Sequence, residues 1–202
     1  MLKQKKGKLV LGVTGNMGSG KSTVARMFKT KDCLLIDADC LGHDLLSCGT
    51  KVYRRIIKTF GRRIIKTDNS VDRAKLAGLA FADKASLNRL NRIVHPAIIA
   101  EIKRQISNSK KKIVILDAAL IIEARLKKIV DILVVVTASR QQQILRTQRR
   151  LSLSKNGVFR RMKYQISQNA KLRLADFIID NSGQISKTRR QVSEIRRLLW
   201  KS

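Results

Sequence analysis

One short segment near the N-terminus constrains the fold more than any other feature of the sequence. Residues 15–22 read Gly-Asn-Met-Gly-Ser-Gly-Lys-Ser and fit the pattern G-x-x-x-x-G-K-[ST]. The apolar run LVLGVT precedes this segment, and the helical pattern STVARMF follows it. A glycine-rich loop between a strand and a helix is typical of phosphate-binding α/β proteins, whose strands form a parallel sheet covered by helices.

Five apolar runs rich in β-branched residues predict the strands of this sheet. They are Leu9–Thr14, Cys33–Ile36, Ile113–Leu116, Ile132–Val136 and Phe177–Ile179. Each run is nearly continuous in hydrophobicity, which is typical of strands that are covered by helices on both faces. We therefore predict an α/β fold with a parallel five-stranded sheet flanked by helices.

The uneven spacing of the runs predicts additional helical segments. About 75 residues separate the second and third runs, which is too many for a structureless loop. Residues 41–100 have helical patterns and are predicted to form an insertion, in which Pro96 opens the long helix that leads back to the core. Residues 141–175 form a second helical stretch, broken near Gly157. The predicted nucleotide-binding core comprises residues 8–40, 101–140 and 176–202.

The charge of the chain indicates polyanionic partners. Forty-four Lys and Arg residues against 14 Asp and Glu residues give a net charge of +30, which attracts nucleic acid, anionic lipid or phosphorylated small molecules. Single-strand binding surfaces usually add aromatic stacking platforms, but five Phe, two Tyr and one Trp are scattered along this chain. A nucleic-acid-binding ATPase is therefore a weaker alternative, and solvated basic faces explain much of the charge.

Cysteine spacing and hydropathy predict the compartment. Cys33, Cys40 and Cys48 form no C-x-x-C pair, and the two histidines are not placed as zinc partners. The apolar run near the N-terminus is too short for a signal peptide, and the chain has no uncharged apolar stretch of about 18 residues. We expect a cytoplasmic protein with reduced thiols and no membrane segment.

The residue types of the loop match the needs of a bound triphosphate. Gly15, Gly18 and Gly20 allow backbone N–H groups to turn towards phosphate oxygens. Lys21 carries a positive charge to the β- and γ-phosphates, and the hydroxyl of Ser22 can ligate Mg²⁺. The helix that begins near Ser22 adds its positive N-terminal dipole.

Acidic residues follow two of the predicted strands. Asp117 ends an apolar strand in the manner of a Walker B element, where a carboxylate can hold a magnesium-bound water beside Ser22. Asp37 and Asp39 lie at the carboxyl end of the second strand, the edge at which ligands gather in open α/β sheets. If that strand stays extended, both carboxylates face one site, where one of them can accept a proton from an attacking hydroxyl. Capping of the next helix is the alternative role, and it fits Asp37 better than Asp39.

Arg146 and Arg150 are one helical turn apart and share a face. Guanidinium groups on a mobile segment can neutralise the charge of a transferred phosphoryl group. Most arginines in so basic a chain are simply solvated, so neither residue alone would indicate a site.

Together these residues resemble the dephospho-CoA kinase family, of the P-loop kinase fold. The resemblance extends from about residue 9 to about residue 183. The segments that carry it are LGVTGNMGSGKSTVARMF, LLIDADCLGHDLL, VDRAKLAGLAF, NRIVHPAI, LDAALIIEA, QILRTQRR and LADFIIDNSG. The loop alone is widespread, but the ordered set, which includes Asp180-Asn181, is specific.

The resemblance implies a reaction and residue roles. The family uses ATP with Mg²⁺ to phosphorylate the ribose 3′-hydroxyl of dephospho-CoA, which gives coenzyme A and ADP. In this chain Asp39 would be the general base, and residues 18–23, including Ser19 and Thr23, would bind ATP phosphates. Residues 141–175 would form a lid that brings Arg146 and Arg150 over ATP. The insertion at 41–100 would bind dephospho-CoA, and its site would include Asp37, Asp39, Arg73 and His95.

Two positions depart from the family pattern, and several functions stay open. Asn16 replaces a glycine of the loop, and Ala119 replaces a proline ahead of Glu123. Another P-loop kinase of small molecules or nucleotides is the main alternative. A regulatory GTPase is disfavoured because the chain has no NKxD motif. We expect direct in-line transfer without a phospho-enzyme, because no suitable nucleophile lies beside the loop in the sequence.

Overall fold

The structure, a computed structural model, describes residues 7–124 and 126–200. The chain forms two compact units. The core unit holds the residues up to Asp37 and from Ser109 onwards, and the insertion unit is Ala38–Asn108. The predicted insertion was 41–100, so residues 38–40 and 101–108 lie in the insertion unit and not in the core as predicted.

The core unit contains a five-stranded sheet in which every pair of neighbouring strands is parallel. In the order β2-β3-β1-β4-β5, the first strand in sequence occupies the centre. The strands are β1 (Leu9–Gly15), β2 (Cys33–Asp37), β3 (Ile113–Asp117), β4 (Ile132–Thr137) and β5 (Phe177–Asp180). Each strand begins at the residue predicted from the sequence and extends one residue further. The predicted α/β fold with a parallel five-stranded sheet is confirmed.

Nine helices accompany the strands within the described ranges. They are α1 (Lys21–Phe28), α2 (Ala38–Asp44), α3 (Lys51–Phe60), α4 (Arg73–Ala80), α5 (Lys84–Asn108), α6 (Arg140–Leu151), α7 (Lys155–Met162), α8 (Gln168–Leu172) and α9 (Ile185–Leu199). Short 3₁₀ turns cover Arg62–Ile64 and Leu126–Ile129. No helix in the described parts of the chain combines the length and the apolar character needed to cross a membrane.

Apolar side chains of the central strands and of α1 and α9 form the core of this unit. Leu11, Val13 and Val134 are fully buried in the sheet, and Phe28 of α1 packs in the same cluster. The strands therefore carry apolar residues at successive positions, because both faces of the sheet are covered. This packing fixes the end of β1, where the glycine-rich loop begins.

Serine side chains begin the helices that follow β4. Ser139, Ser154 and Ser167 each precede a helix, and each hydroxyl accepts a hydrogen bond from a backbone N–H of the first turn. The predicted break near Gly157 is wrong, because Gly157 lies inside α7 and donates its N–H to Ser154 Oγ. The chain instead leaves α6 at Ser152, which has a positive φ of 51°.

The insertion unit is helical, with α5 in contact with α2, α3 and α4. Its own apolar cluster includes Val52, Ile56, Phe60, Leu76 and Ile93. The prediction that Pro96 opens a helix is wrong, because α5 runs through Pro96 without interruption. Proline removes one N–H donor from the helix interior, a loss that the 25 residues of α5 tolerate.

Candidate active site

The glycine-rich loop connects the buried end of β1 to the first turn of α1. Gly18 and Gly20 have φ values of 78° and 88°, a region that side chains disfavour. A Cβ atom on Gly18 would collide with the backbone of Gln143, and one on Gly20 would collide with the side-chain amide of Asn181. The loop is therefore packed closely against other parts of the core unit, which explains why glycine is needed at both positions.

Asn181, directly after β5, supports the loop from one side. Its Nδ2 donates to the carbonyl oxygen of Ser19 at 2.9 Å, and its Oδ1 accepts from the hydroxyl of Thr188 at 3.0 Å. Both Asn181 and Thr188 are buried. The sequence marked Asp180-Asn181 as a family feature but gave it no role, and the structure shows that Asn181 holds the loop backbone.

Lys21 brings a buried positive charge to the floor of the loop. Its Nζ donates to Asp117 Oδ1 at 2.8 Å and to Ser22 Oγ at 3.3 Å. Only 8% of Lys21 and 3% of Asp117 are exposed. A buried ammonium must be paired, and Asp117 supplies this pairing within the protein. A nucleotide phosphate can replace the carboxylate as the partner of Lys21, because both are anions of similar hydrogen-bonding chemistry.

The oxygen atoms beside Lys21 suit a magnesium ion. Ser22 Oγ and Asp117 Oδ1 contact the same ammonium, so the two candidate ligands lie in one small site. Mg²⁺ prefers hard oxygen ligands and usually keeps several waters and substrate phosphates in its shell. Among residues 7–124 and 126–200, no group of three or more His, Cys, Asp or Glu residues forms a protein-only metal cage. Ser22 Oγ and Asp117 Oδ1 are hard oxygen atoms of this kind, and they fit a metal that is shared with phosphate and water.

The two arginines of α6 have different surroundings. Arg146 is half-buried, and its Nη2 donates to the carbonyl oxygen of Asn181 at 3.1 Å. Its Nη1 is buried without a hydrogen-bond partner in the described chain, 3.8 Å from the point that a Cβ on Gly20 would occupy. Arg150 lies one turn further along α6 and is exposed. The structure thus brings Arg146 to the loop, with one unsatisfied donor group beside Gly20.

The remaining predicted loop residues occupy the expected positions. Gly15 ends β1, where it pairs in register with Val136. Ser19 is buried within the loop, whereas Thr23 is exposed in the first turn of α1. Among Gly15, Ser19 and Thr23, only Thr23 presents its side chain to solvent.

The predicted acceptor-side residues lie on different elements. Asp37 ends β2 and pairs in register with Asp117 of β3. The chain does not stay extended as far as Asp39, because α2 begins at Ala38 and places Asp39, exposed, in its first turn. The condition under which strand geometry would turn both carboxylates to one site is therefore not met. Arg73 is the exposed first residue of α4, and Asp72 before it caps that helix through the N–H groups of Ala74 and Lys75. His95 is half-buried in the middle of α5.

Comparison with known proteins agrees with this site. The family model described as dephospho-CoA kinase matches residues 9–187. A dephospho-CoA kinase of Carboxydothermus hydrogenoformans is 36% identical over 95% of both chains. A dephospho-CoA kinase of Aquifex aeolicus is 39% identical over 92% of this chain and 94% of its own.

A solved structure extends the comparison to the fold. The dephospho-CoA kinase from Campylobacter jejuni superposes with a TM-score of 0.66 at 24% identity, covering 93% of this chain and 95% of its own. The family model matches the sequence from the first residue of β1 to a point beyond Asn181. The matched range includes the loop, Asp117 and Arg146. With its phosphate loop, its parallel sheet and its similarity over nearly the whole length, this chain belongs to the dephospho-CoA kinase family.

Proposed function

We propose that this protein transfers the γ-phosphoryl group of ATP to the ribose 3′-hydroxyl of dephospho-CoA, giving coenzyme A and ADP. The observation that carries the proposal is the buried Lys21 ammonium, which lies between Asp117 and Ser22 at the floor of a complete phosphate loop. Family membership then supplies the acceptor, because the matched relatives are dephospho-CoA kinases.

The loop and Lys21 stabilise the phosphates of ATP. Backbone N–H groups of residues 18–23 bind the phosphate oxygens, and the ammonium of Lys21 exchanges Asp117 for the β- and γ-phosphates. Arg146 directs its unsatisfied Nη1 to the charge that builds up on the transferred group. These donors are held by the fold before ATP arrives, so little reorganisation is needed as charge develops. We infer direct in-line transfer, without a phosphorylated protein intermediate.

Mg²⁺ is the metal that this oxygen-rich site fits. Ser22 would ligate it directly, and Asp117 would hold one of its waters. When bound, the ion would neutralise part of the charge on the nucleotide phosphates. The orientation of Ser22 and Asp117 towards one point comes from the end of β3 and the first turn of α1.

In this proposal the acceptor side of the reaction is assigned to Asp37, Asp39, Arg73 and His95. Asp39 accepts the proton of the 3′-hydroxyl as the oxygen attacks phosphorus. This is the role that the resemblance to the dephospho-CoA kinase family implies for Asp39. Asp37, Arg73 and His95 contact dephospho-CoA, and residues 141–175 close over ATP. The exposed position of Asp39 in the first turn of α2 leaves its carboxylate accessible to a substrate.

The test of the proposal is the identity of the product. The purified protein is incubated with ATP, Mg²⁺ and dephospho-CoA, and the products are separated and identified by mass spectrometry. An arm with excess chelator, restored by added Mg²⁺, tests the metal requirement separately from the acceptor.

Replacing Arg146 and Arg150 one at a time tests which of these two arginines of the predicted lid acts on the transferred phosphoryl group. Arg146→Ala is expected to lower kcat by about 10²-fold to 10³-fold, because it removes a donor directed at the developing charge. Arg150→Ala is expected to raise KM for ATP with kcat within about fivefold, because an exposed cation contributes at most ~1 kcal/mol. Steady-state kinetics with varied ATP, alongside melting curves of both variants, make the comparison. Equal effects on kcat would contradict the assignment of Arg146.

A further inference from the structure

A second buried lysine lies in the core unit, within the stretch 141–175 but not among the residues assigned to contact the ATP phosphates. Lys171 of α8 is fully buried, and its Nζ lies 3.2 Å from Glu123 Oε1. The same Nζ donates to the carbonyl oxygen of Ala119 at 2.8 Å. Burial lowers the pKa of Lys171, and the carboxylate of Glu123 partly opposes this shift. A buried ion pair seldom adds stability over an apolar pair, so another role is expected for it.

The ion pair joins two segments that both contact the loop. The post-β3 segment, residues 118–124, contains Ala119 and Glu123. The return segment, residues 163–172, leads from α7 through α8 and contains Lys171. Glu123 Oε1 also accepts a hydrogen bond from the N–H of Ile166 at 3.2 Å, so the carboxylate holds the return segment at two points.

The return segment reaches the phosphate loop through the neighbour of Ile166. Gln165 Oε1 accepts a hydrogen bond from the N–H of Met17 at 2.9 Å. This bond fixes the peptide plane between Asn16 and Met17, one residue ahead of Gly18, whose φ is 78°. The position of the Gln165 side chain depends on the backbone at Ile166, which Glu123 holds.

The post-β3 segment reaches the start of the loop from the other side. The carbonyl oxygen of Ala119 accepts a hydrogen bond from Thr14 Oγ1 at 3.2 Å as well as that from Lys171. Thr14 directly precedes Gly15, the first residue of the loop. The position that carries proline in the family pattern is therefore held in this chain by two hydrogen bonds to its carbonyl oxygen.

We propose that Lys171 is a positioning residue for nucleotide binding, which acts through Glu123 and Gln165 to hold the phosphate loop in its binding form. The ammonium of Lys171 is engaged by Glu123 and by the carbonyl oxygen of Ala119. It fixes the two segments that contact Thr14 and Met17, so the loop amides are oriented before the nucleotide arrives. Such preorganisation increases affinity because less conformational freedom is lost on binding. This inference rests on the proposed function only for the binding of nucleotide phosphates, and not for the acceptor.

The experiment measures ADP affinity, by calorimetry with Mg²⁺, so its result does not depend on the acceptor. Lys171→Met removes the charge and keeps the chain length, and Glu123→Gln weakens the pair with an isostere. Both are expected to weaken ADP binding, Lys171→Met by about tenfold and Glu123→Gln by less. Arg197→Met is the matched control, because Arg197 is an exposed cation of α9, outside the stretch 141–175. Its ADP affinity is expected to equal that of the unmodified protein.

A double-mutant cycle with Gln165→Leu separates positioning from a merely structural role. Gln165→Leu alone is expected to weaken ADP binding between about twofold and tenfold, the value of one hydrogen bond. If Lys171 acts through Gln165, adding Lys171→Met to Gln165→Leu weakens binding much less than the product of the two single effects. If Lys171→Met fails to fold, the same cycle with Glu123→Gln decides. Lower melting temperatures with unchanged ADP affinity, or effects that multiply in full, would overturn the proposal.

Discussion

Lys21→Met is expected to lower kcat by about 10³-fold while leaving the fold of the sheet intact. The Nζ of Lys21 is the buried cation at the floor of the loop, and its charge stabilises the phosphoryl group most strongly as negative charge moves during transfer. The low exposure of the site strengthens this effect, because water screens the charge little. The measurement is kcat with saturating ATP and dephospho-CoA.

Two controls separate the effect of the lost Lys21 charge on activity from its effect on stability. Lys21→Met leaves the buried carboxylate of Asp117 without its partner, which costs about 3–5 kcal/mol of stability. Lys21→Met with Asp117→Asn removes both charges and should regain part of the melting temperature without regaining activity. Arg26→Met changes an exposed cation of the same helix, α1, and should leave kcat unchanged. Full activity of Lys21→Met would contradict the assignment of the loop.

Asp39→Asn is expected to lower kcat by about 10²-fold to 10⁴-fold, the usual contribution of a general base. The amide keeps the size of the side chain and removes its capacity to accept a proton. ATP binding should stay within about twofold, because the phosphates bind to the loop and to Lys21. Single-turnover kinetics measure the chemical step, and calorimetry measures ATP affinity.

Asp44→Asn is the matched control for Asp39, since Asp44 is an exposed aspartate of the same helix, α2. It removes the same charge and should leave turnover unchanged. Turnover by Asp39→Asn at the rate of the unmodified protein would show that the base is another group. Equal losses of turnover in both variants would indicate that the total negative charge of α2, rather than the carboxylate of Asp39, affects the reaction.

The sheet was predictable from the sequence because its strands are buried on both faces. Apolar residues then occur at successive positions, so each strand appears in the sequence as one continuous apolar run. Each run ended one residue before the strand did, because the final residues are Gly15, Asp37, Asp117, Thr137 and Asp180. These residues are small or polar but still pair in the sheet. The same positions carry much of the predicted chemistry, since ligands gather at the carboxyl edge of parallel strands.

The contacts by which distant side chains hold the loop backbone could not be predicted from the sequence. Asn181 is 162 positions from Ser19, and Gln165 is 148 positions from Met17. A side chain that holds a distant backbone group leaves no periodic pattern. Pro96 was misinterpreted for a different reason, because proline usually marks the first turn of a helix, whereas here packing against three other helices maintains α5 around it.

Asp39 was predicted to follow the second strand, and it does so as the second residue of α2. The sequence shows the end of the apolar run at Ile36, whereas hydrogen bonding extends β2 to Asp37 and the chain enters α2 at the next residue. The chain passes from strand to helix between two consecutive residues, and no proline or glycine marks this change in the sequence. The assignment of Asp39 as a base therefore depends on the family match and on the variants above.

Dephospho-CoA is the acceptor of the γ-phosphoryl group in the proposed reaction. The most direct test supplies ATP and Mg²⁺ with dephospho-CoA, AMP, a simple alcohol or RNA in parallel, and identifies every product by mass and by ³¹P NMR. We predict equal amounts of ADP and coenzyme A, with the new phosphate on the ribose 3′-oxygen, and little product from the other acceptors. Faster phosphorylation of another acceptor, or RNA-stimulated ATP hydrolysis without coenzyme A, would contradict it.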